Sequence, residues 1–327
     1  MSKKPFKTID DQINILKDRN LIILNETAAK KTLQDYGYYE IINGYKYPFL
    51  KDSSNDDIGY KPLATFEHIF ELYQLDSNIR SSVMSAIEIF ENSFKQSLAY
   101  NISKYISDDF SVYSNKENYS PGHINQYGKS DRDFLLKKLN NVQALDIEPY
   151  KHYRTKYNNV PPWILVKGLS LGSSMYLFSL LKDKNIKEAV IGRMMGFDPS
   201  IISGLDDLFK IKQVFSDSLT LILDYRNLAA HGGRVYNHRS DKHQISVYSQ
   251  LLYASSISRT KFKNGYSRSS INALLLCLAI MENNDPYTHL FTWLKVWVAQ
   301  YIKKYPDDAS YLKESMEIGN LDIADMK

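Results

Sequence analysis

From Thr65 onward, apolar residues recur at steps of three and four: Phe66, Ile69, Phe70 and Tyr73, then Val83, Ile87, Phe90, Phe94 and Leu98. This period lays one stripe along helices of 3.6 residues per turn and cannot line the face of a strand. Elsewhere no convincing alternation with period two and no internal repeat is present, so the sequence predicts an all-α fold. Glu91 and Lys95, four residues apart, have the spacing of a solvated pair on such a helix.

Other helices are expected at Asp10–Lys17, at Thr27–Tyr36 behind an Asn25 cap, and at Arg132–Val142. Pro161-Pro162 opens a helix from Trp163 to Lys182. Asp198-Pro199 supplies a cap and a first-turn proline for a helix running through Leu205, Leu208, Phe215, Leu219 and Ile222 to the stop at Gly232-Gly233. Three more helices are expected at about 246–257, 269–282 and 286–303. A polar loop at 51–60 marks the edge of a tyrosine-rich amino-terminal helical subdomain (1–60); a helical core (61–240) with a polar insertion around 107–130 and a carboxy-terminal helical extension (241–327) follow. The aromatic cluster between Tyr36 and Phe49 reads as a packed turn that supports the core.

With 327 residues, 43% hydrophobic and 24% charged, the chain has the balance of an ordinary globular protein with a sizeable core. Its one cysteine, Cys277, excludes an intrachain disulfide and a cysteine-built zinc site, and its apolar surroundings (272–281) mark it as a small buried residue. No signal peptide is visible, and the longest apolar run is about half of the ~20 residues that cross a bilayer. A soluble, cytoplasmic protein without membrane contact is therefore expected. A net charge of +4 leans only mildly toward polyanions. The 25 tyrosines fit either stacking on unpaired bases or a low-GC genome.

One residue breaks the apolar pattern. Arg226 lies four residues after Ile222, seven after Leu219 and eleven after Phe215, and so continues the stripe. A guanidinium there needs a partner, because an unpaired buried charge is costly. Either it pairs with Glu88 or Glu91 on the preceding helix, or it faces a cleft that receives a phosphate, which its fork of donors fits. His231 follows five residues later, ~140° around a regular helix, and the two glycines after it end the helix there. Asn227, Arg234, Asn237, His238 and Arg239 complete a polar, basic segment. His238 and His243 flank Asp241, but no spacing fits a metal-ligand pattern. Phosphate-binding glycine loops and a Gly-x-Ser-x-Gly elbow are absent. The basic and aromatic stretch 259–268 reads as a solvated connecting loop or a guide for RNA.

The run Arg226-Asn227-Leu228-Ala229-Ala230-His231 resembles the R-x4–6-H signature of HEPN domains. Through Asn237 it is similar to the Abi family (AbiD/AbiF-like) pattern R-N-x-x-A-H-H-x-R-x-W-N. Two further blocks agree: Leu72 to Arg80, and Pro161-Pro162-Trp163 followed by Leu169-Ser170-Leu171-Gly172. The tyrosine-rich opening around 36–47 also fits, so the resemblance spans about residues 8–240. Two positions depart: the family's second His is Gly232, and its Trp is Tyr236.

The resemblance implies a HEPN-like helical bundle carrying out metal-independent RNA cleavage in phage defence, without cofactor, in a site assembled across a homodimer. The residue types suit that chemistry. A ribose 2′-hydroxyl attacks its neighbouring phosphate once deprotonated, histidine can take or give that proton, and arginine can neutralise the growing phosphorane charge. Catalytic roles thus fall to His231 as general acid/base, Arg226 as stabiliser and Asn227 as orienting residue, with Arg234, Asn237, His238 and Arg239 as RNA contacts. A second His231 from the dimer can replace the imidazole missing at Gly232. Candidate regulators are a small noncoding RNA or a protein antitoxin. The alternatives are a module that holds a small noncoding RNA without cutting it and a purely structural partner.

Overall fold

A computed structural model describes residues 5–247 and 257–318 of the chain. Among them no strand forms, and four isolated bridges are the only extended pairings, so the fold is all-α. In order, the helices are α1 (Ile9–Asp18), α2 (Glu26–Tyr36), α3 (Phe66–Tyr105), α4 (Phe110–Tyr113), α5 (Asp131–Gln143), α6 (Tyr150–Tyr157), α7 (Pro162–Leu165) and α8 (Leu171–Leu180). There follow α9 (Lys184–Met195), α10 (Ile202–Phe209), α11 (Ile211–Ala230), α12 (Arg259–Lys263), α13 (Ile271–Ala279), α14 (Asp285–Lys304) and α15 (Ala309–Met316).

The spine is α3. Its 40 residues contain neither Gly nor Pro, so the stripe expected in several helices is carried by one, about 60 Å long. Thr65 caps it by accepting from the His68 N–H at 3.0 Å. Helices α7, α8, α9, α11 and α14 pack around it. Phe94 of α3 meets Phe178 of α8 and Phe215 of α11 with ring centroids 6.0 and 6.4 Å away, and the latter two rings are 5.7 Å apart. All three rings are buried, and burying each contributes about 1.5–3 kcal/mol. α14 lies antiparallel along α3: Lys304 pairs with Glu71, the Trp297 indole N–H donates to Ser82 Oγ at 3.1 Å, and Asn283 reaches Ser93 at 2.9 Å.

The expected helices at 10–17, 27–36, 132–142, 269–282 and 286–303 all form, and Asn25 caps α2 through the Ala28 N–H at 3.0 Å. Two long helices are broken. The segment from Trp163 to Lys182 splits into α7, a 3-10 turn at Val166–Gly168, and α8. At Gly168 a Cβ would lie 2.5 Å from Val142 Cγ1 and 2.9 Å from Tyr150 Oη, so the chain approaches α5 and α6 too closely for a side chain. Ser170 then caps α8 through the Ser173 N–H. The helix from Asp198 is likewise divided. Asp198 caps only a short turn, and Lys210 at φ +55° separates α10 from α11.

Smaller corrections follow the same logic. The Glu91–Lys95 pair forms at 2.5 Å, but with side chains only 18% and 10% exposed it sits against the core rather than in solvent. The loop expected at 259–268 contains α12, wound on the buried Phe262. Cys277 is fully buried, and burial pushes its thiol up to about 12. Most of the helix expected at 246–257 lies outside the described residues. Among the described residues no helix is long and apolar enough to cross a membrane.

Candidate functional site

Arg226 sits in the last full turn of α11, on the side that faces α3. Between the two helices lies an open cavity of about 750 Å³, lined by α3 from Arg80 to Lys95 and by Arg226 and Ala229. Glu88 and Glu91 line the same cavity, yet neither pairs with Arg226: Glu91 belongs to Lys95. Among the described residues Arg226 forms no ion pair, and its one hydrogen bond runs from Nη1 to Asn227 Oδ1 at 3.3 Å. Of the two solutions open to a guanidinium on that stripe, this geometry has the open cleft.

His231 is the carboxy-terminal cap of α11, with its backbone N–H still bonded to the Asn227 carbonyl at 3.1 Å. Its side chain is exposed and does not line the Arg226 cavity. The chain then turns sharply: Gly232 has φ +74°, a left-handed conformation that glycine adopts without strain. Arg226 and Asn227 are thus together, and His231 stands more than a turn further along, outside the cavity lining.

The turn after His231 is held by a pair that sequence reasoning placed only within a family block. Asp76 of α3 is completely buried. One carboxylate oxygen accepts the backbone N–H groups of Val235 and Tyr236 at 3.0 and 2.8 Å, and the other accepts Tyr45 Oη at 2.7 Å and Arg80 Nη1 at 3.2 Å. Arg80 in turn donates to the carbonyls of Gly232 and Gly233 at 3.2 and 3.4 Å. Burial pushes the Asp76 carboxyl above the usual carboxylate range despite its four donors. Arg80 also lines the Arg226 cavity, so one guanidinium both fastens the turn and adds positive charge beside Arg226. The available signal was an Asp four residues before an Arg inside an otherwise regular helix.

The remaining sequence-predicted residues point inward to varying degrees. Arg234 donates to the Gly44 carbonyl and lies over the Tyr45 ring. His238 Nε2 meets Asp224 at 2.9 Å, and His243 Nδ1 meets the other oxygen of the same carboxylate at 2.9 Å. The carboxylate that gathers these imidazoles is therefore Asp224 on α11, not the neighbouring Asp241. Burial alone would raise Asp224; the two imidazole hydrogen bonds outweigh it and hold the carboxyl below its ordinary value. Arg239 pairs with Glu317 at 3.0 Å and donates to the Ser315 carbonyl. Asn237 is half-buried. Among the described residues no group of three His, Cys, Asp or Glu side chains is arranged to hold a metal.

Arg226, Asn227, His231 and the Asp76 contacts lie within the stretch that a family model matches. Residues 31–237 match the family model described as Abi-like protein. No curated protein and no solved structure matches the chain.

Proposed function

The chain belongs to the Abi-like protein family, and from that premise we propose that it is a metal-independent endoribonuclease of phage defence with a HEPN-type site. The observation that supports this reading is the half-buried guanidinium of Arg226, which borders an open cavity without a carboxylate partner and stands five residues from an exposed, firmly mounted His231. A structural arginine at such a position pairs with an acid; this one is left for an anion.

In the proposed reaction His231 takes the proton of a ribose 2′-hydroxyl, and O2′ attacks the adjacent phosphorus. The P–O5′ bond breaks as O5′ receives a proton from the His231 of a second copy. The products are a 2′,3′-cyclic phosphate and a 5′-hydroxyl. Arg226, with Arg80 beside it, carries the charge that grows on the phosphorane oxygens, and Asn227 orients the phosphate. The exposure of His231 at a helix end suits its presentation to another molecule of the chain. Arg234, His238 and Arg239 already hold protein partners, so of the outer RNA contacts Asn237 is the most available.

The position of His231 outside the cavity of its own chain favours one alternative: a module that holds RNA without cutting it. A single experiment separates the two. Purified protein is incubated in EDTA with labelled total bacterial RNA, as wild type, His231→Ala and Arg226→Ala. Cleavage leaving cyclic-phosphate ends is expected from wild type, with losses of about 100- to 10,000-fold for His231→Ala and about 100- to 1,000-fold for Arg226→Ala. RNA cut by none of the three, yet bound by wild type and His231→Ala and more weakly by Arg226→Ala, establishes the holding module. Cleavage undiminished in His231→Ala removes the histidine from the chemistry.

A further inference from the structure

A second cavity lies on the same helix. Between α3 and α14 a pocket of about 380 Å³ is walled by the rings of Tyr36, Tyr73 and Trp297 and by the amides of Gln74, Asn78 and Gln300. Its rim cation, Lys304, is paired with Glu71, so the pocket presents little net charge. The Trp297 ring is fixed by its hydrogen bond to Ser82 and by stacking on Trp293 at 5.2 Å between centroids and 20° between planes. Tyr36 meets Tyr73 edge-on at 5.6 Å. None of the three amide side chains has a hydrogen-bond partner among the described residues.

The two cavities share one face of α3. Gln74, Asn78, Ser81, Ser85, Glu88 and Asn92 follow one another at steps of four and three, which places them in a single row. All are exposed except Ser85, which is half-buried. Gln74 and Asn78 line the aromatic pocket; the other four line the Arg226 cavity. From Asn78 to Ser85 the helix rises ~10 Å, the length of about three stacked nucleotides at 3.4 Å each.

We propose that this row is the track of a single-stranded RNA whose phosphate sits at Arg80 and Arg226, and that the aromatic pocket receives one of its bases a few nucleotides away. The assignment rests on the RNA reading above and adds where sequence preference arises. The division follows from chemistry. The arginine cavity offers charge to a phosphate; the other offers ring faces for stacking and uncharged amides, each with donors and an acceptor, for the polar edge of a base. A phosphate has no cation free to meet it in the second pocket, and a purely apolar ligand would leave three amides unpaired.

The test measures binding in the His231→Ala background, so that it is independent of cleavage. Short labelled homopolymers of each of the four ribonucleotides are titrated in EDTA and followed by fluorescence anisotropy. One homopolymer is expected to bind more tightly than the rest by about tenfold, the scale of one base-edge contact. The Gln74→Ala/Asn78→Ala/Gln300→Ala variant, and to a lesser degree Asn78→Ala alone, should flatten that ranking. Arg226→Ala should weaken all four alike. Equal binding of the four by the parent, a ranking unchanged in both amide variants, or no binding of any homopolymer overturns the base pocket. A ranking that flattens as expected in a protein whose wild type cuts nothing upholds the pocket while the nuclease reading falls.

Discussion

Asp76 and Asp224 both brace the chain that runs on from His231, from different helices and with different donors. Asp76 reaches it from α3, wholly enclosed, through two backbone N–H groups, a tyrosine hydroxyl and an arginine. Asp224 reaches it from α11, with a side chain 21% exposed, through two imidazoles of which one is 40% exposed. The first anchor is wholly enclosed; the second is partly open to water. The segment carrying His231 and Gly232 is therefore fixed by the enclosed anchor, and the partly solvated one holds the more distant stretch at 238–243.

The comparison predicts unequal stabilities. Asp76→Ala strands two buried backbone donors, the Tyr45 hydroxyl and one bond of Arg80, and should lower the unfolding free energy by about 3–5 kcal/mol, as loss of one member of a buried network does. Asp224→Ala removes two hydrogen bonds at a partly solvated site and should cost about 1–2 kcal/mol. Urea unfolding of both variants at neutral pH measures the difference; equal losses would mean that the two anchors are not of different kinds.

Acid should sharpen the contrast, because the two carboxyls are shifted in opposite directions. Asp224 is lowered in the folded state, so its contribution is complete above the ordinary carboxylate value of 3.8 and disappears as pH falls through the lower folded value. The gap between wild type and Asp224→Asn should therefore close in strong acid. Asp76 is raised, so the folded state binds its proton more readily than the unfolded state does. Its contribution is fully present below 3.8 and declines as pH rises through the raised folded value. The gap between wild type and Asp76→Asn should accordingly widen as pH falls toward 3.8, before the other begins to close. Urea midpoints followed from neutral pH downward read both trends, and parallel trends would contradict the assignment of the two shifts.

What the sequence made legible was local. The three- and four-residue period located α3, Asn25 announced its own cap, and the Gly232-Gly233 pair marked the end of α11. Arg226 stood out because one charge interrupted an apolar stripe. The partners of that region were not legible, for a physical reason. Asp76 meets N–H groups about 160 residues further along the chain, and Asp224 draws His238 and His243 back across a turn; neither pairing leaves a local periodicity. The break at Lys210 had no signal, because lysine is not a residue that announces a left-handed conformation. The break at Gly168 had one, since Gly168 and the Ser170 cap were both visible, but an apolar period running through them masked it.

The smallest predicted effect bears on the anchored turn itself. At Gly232, where the Abi family pattern has histidine, φ is +74° and a Cβ would meet nothing within 4 Å. Gly232→His should therefore be tolerated at the cost of left-handed backbone alone, about 1–2 kcal/mol. If the second proton-transfer group in the proposed reaction comes from another copy of the chain, wild-type specific activity should fall as the protein is diluted below its dimerisation constant. The variant, with two imidazoles on one chain, should keep more of its activity over the same dilution. An unchanged dilution dependence would mean that the second copy contributes more than an imidazole, such as a wall of the RNA track. A stability loss well beyond the backbone cost would instead show that the Arg80 contact to the Gly232 carbonyl had been disturbed, and would place that contact, rather than the glycine, at the centre of the enclosed anchor.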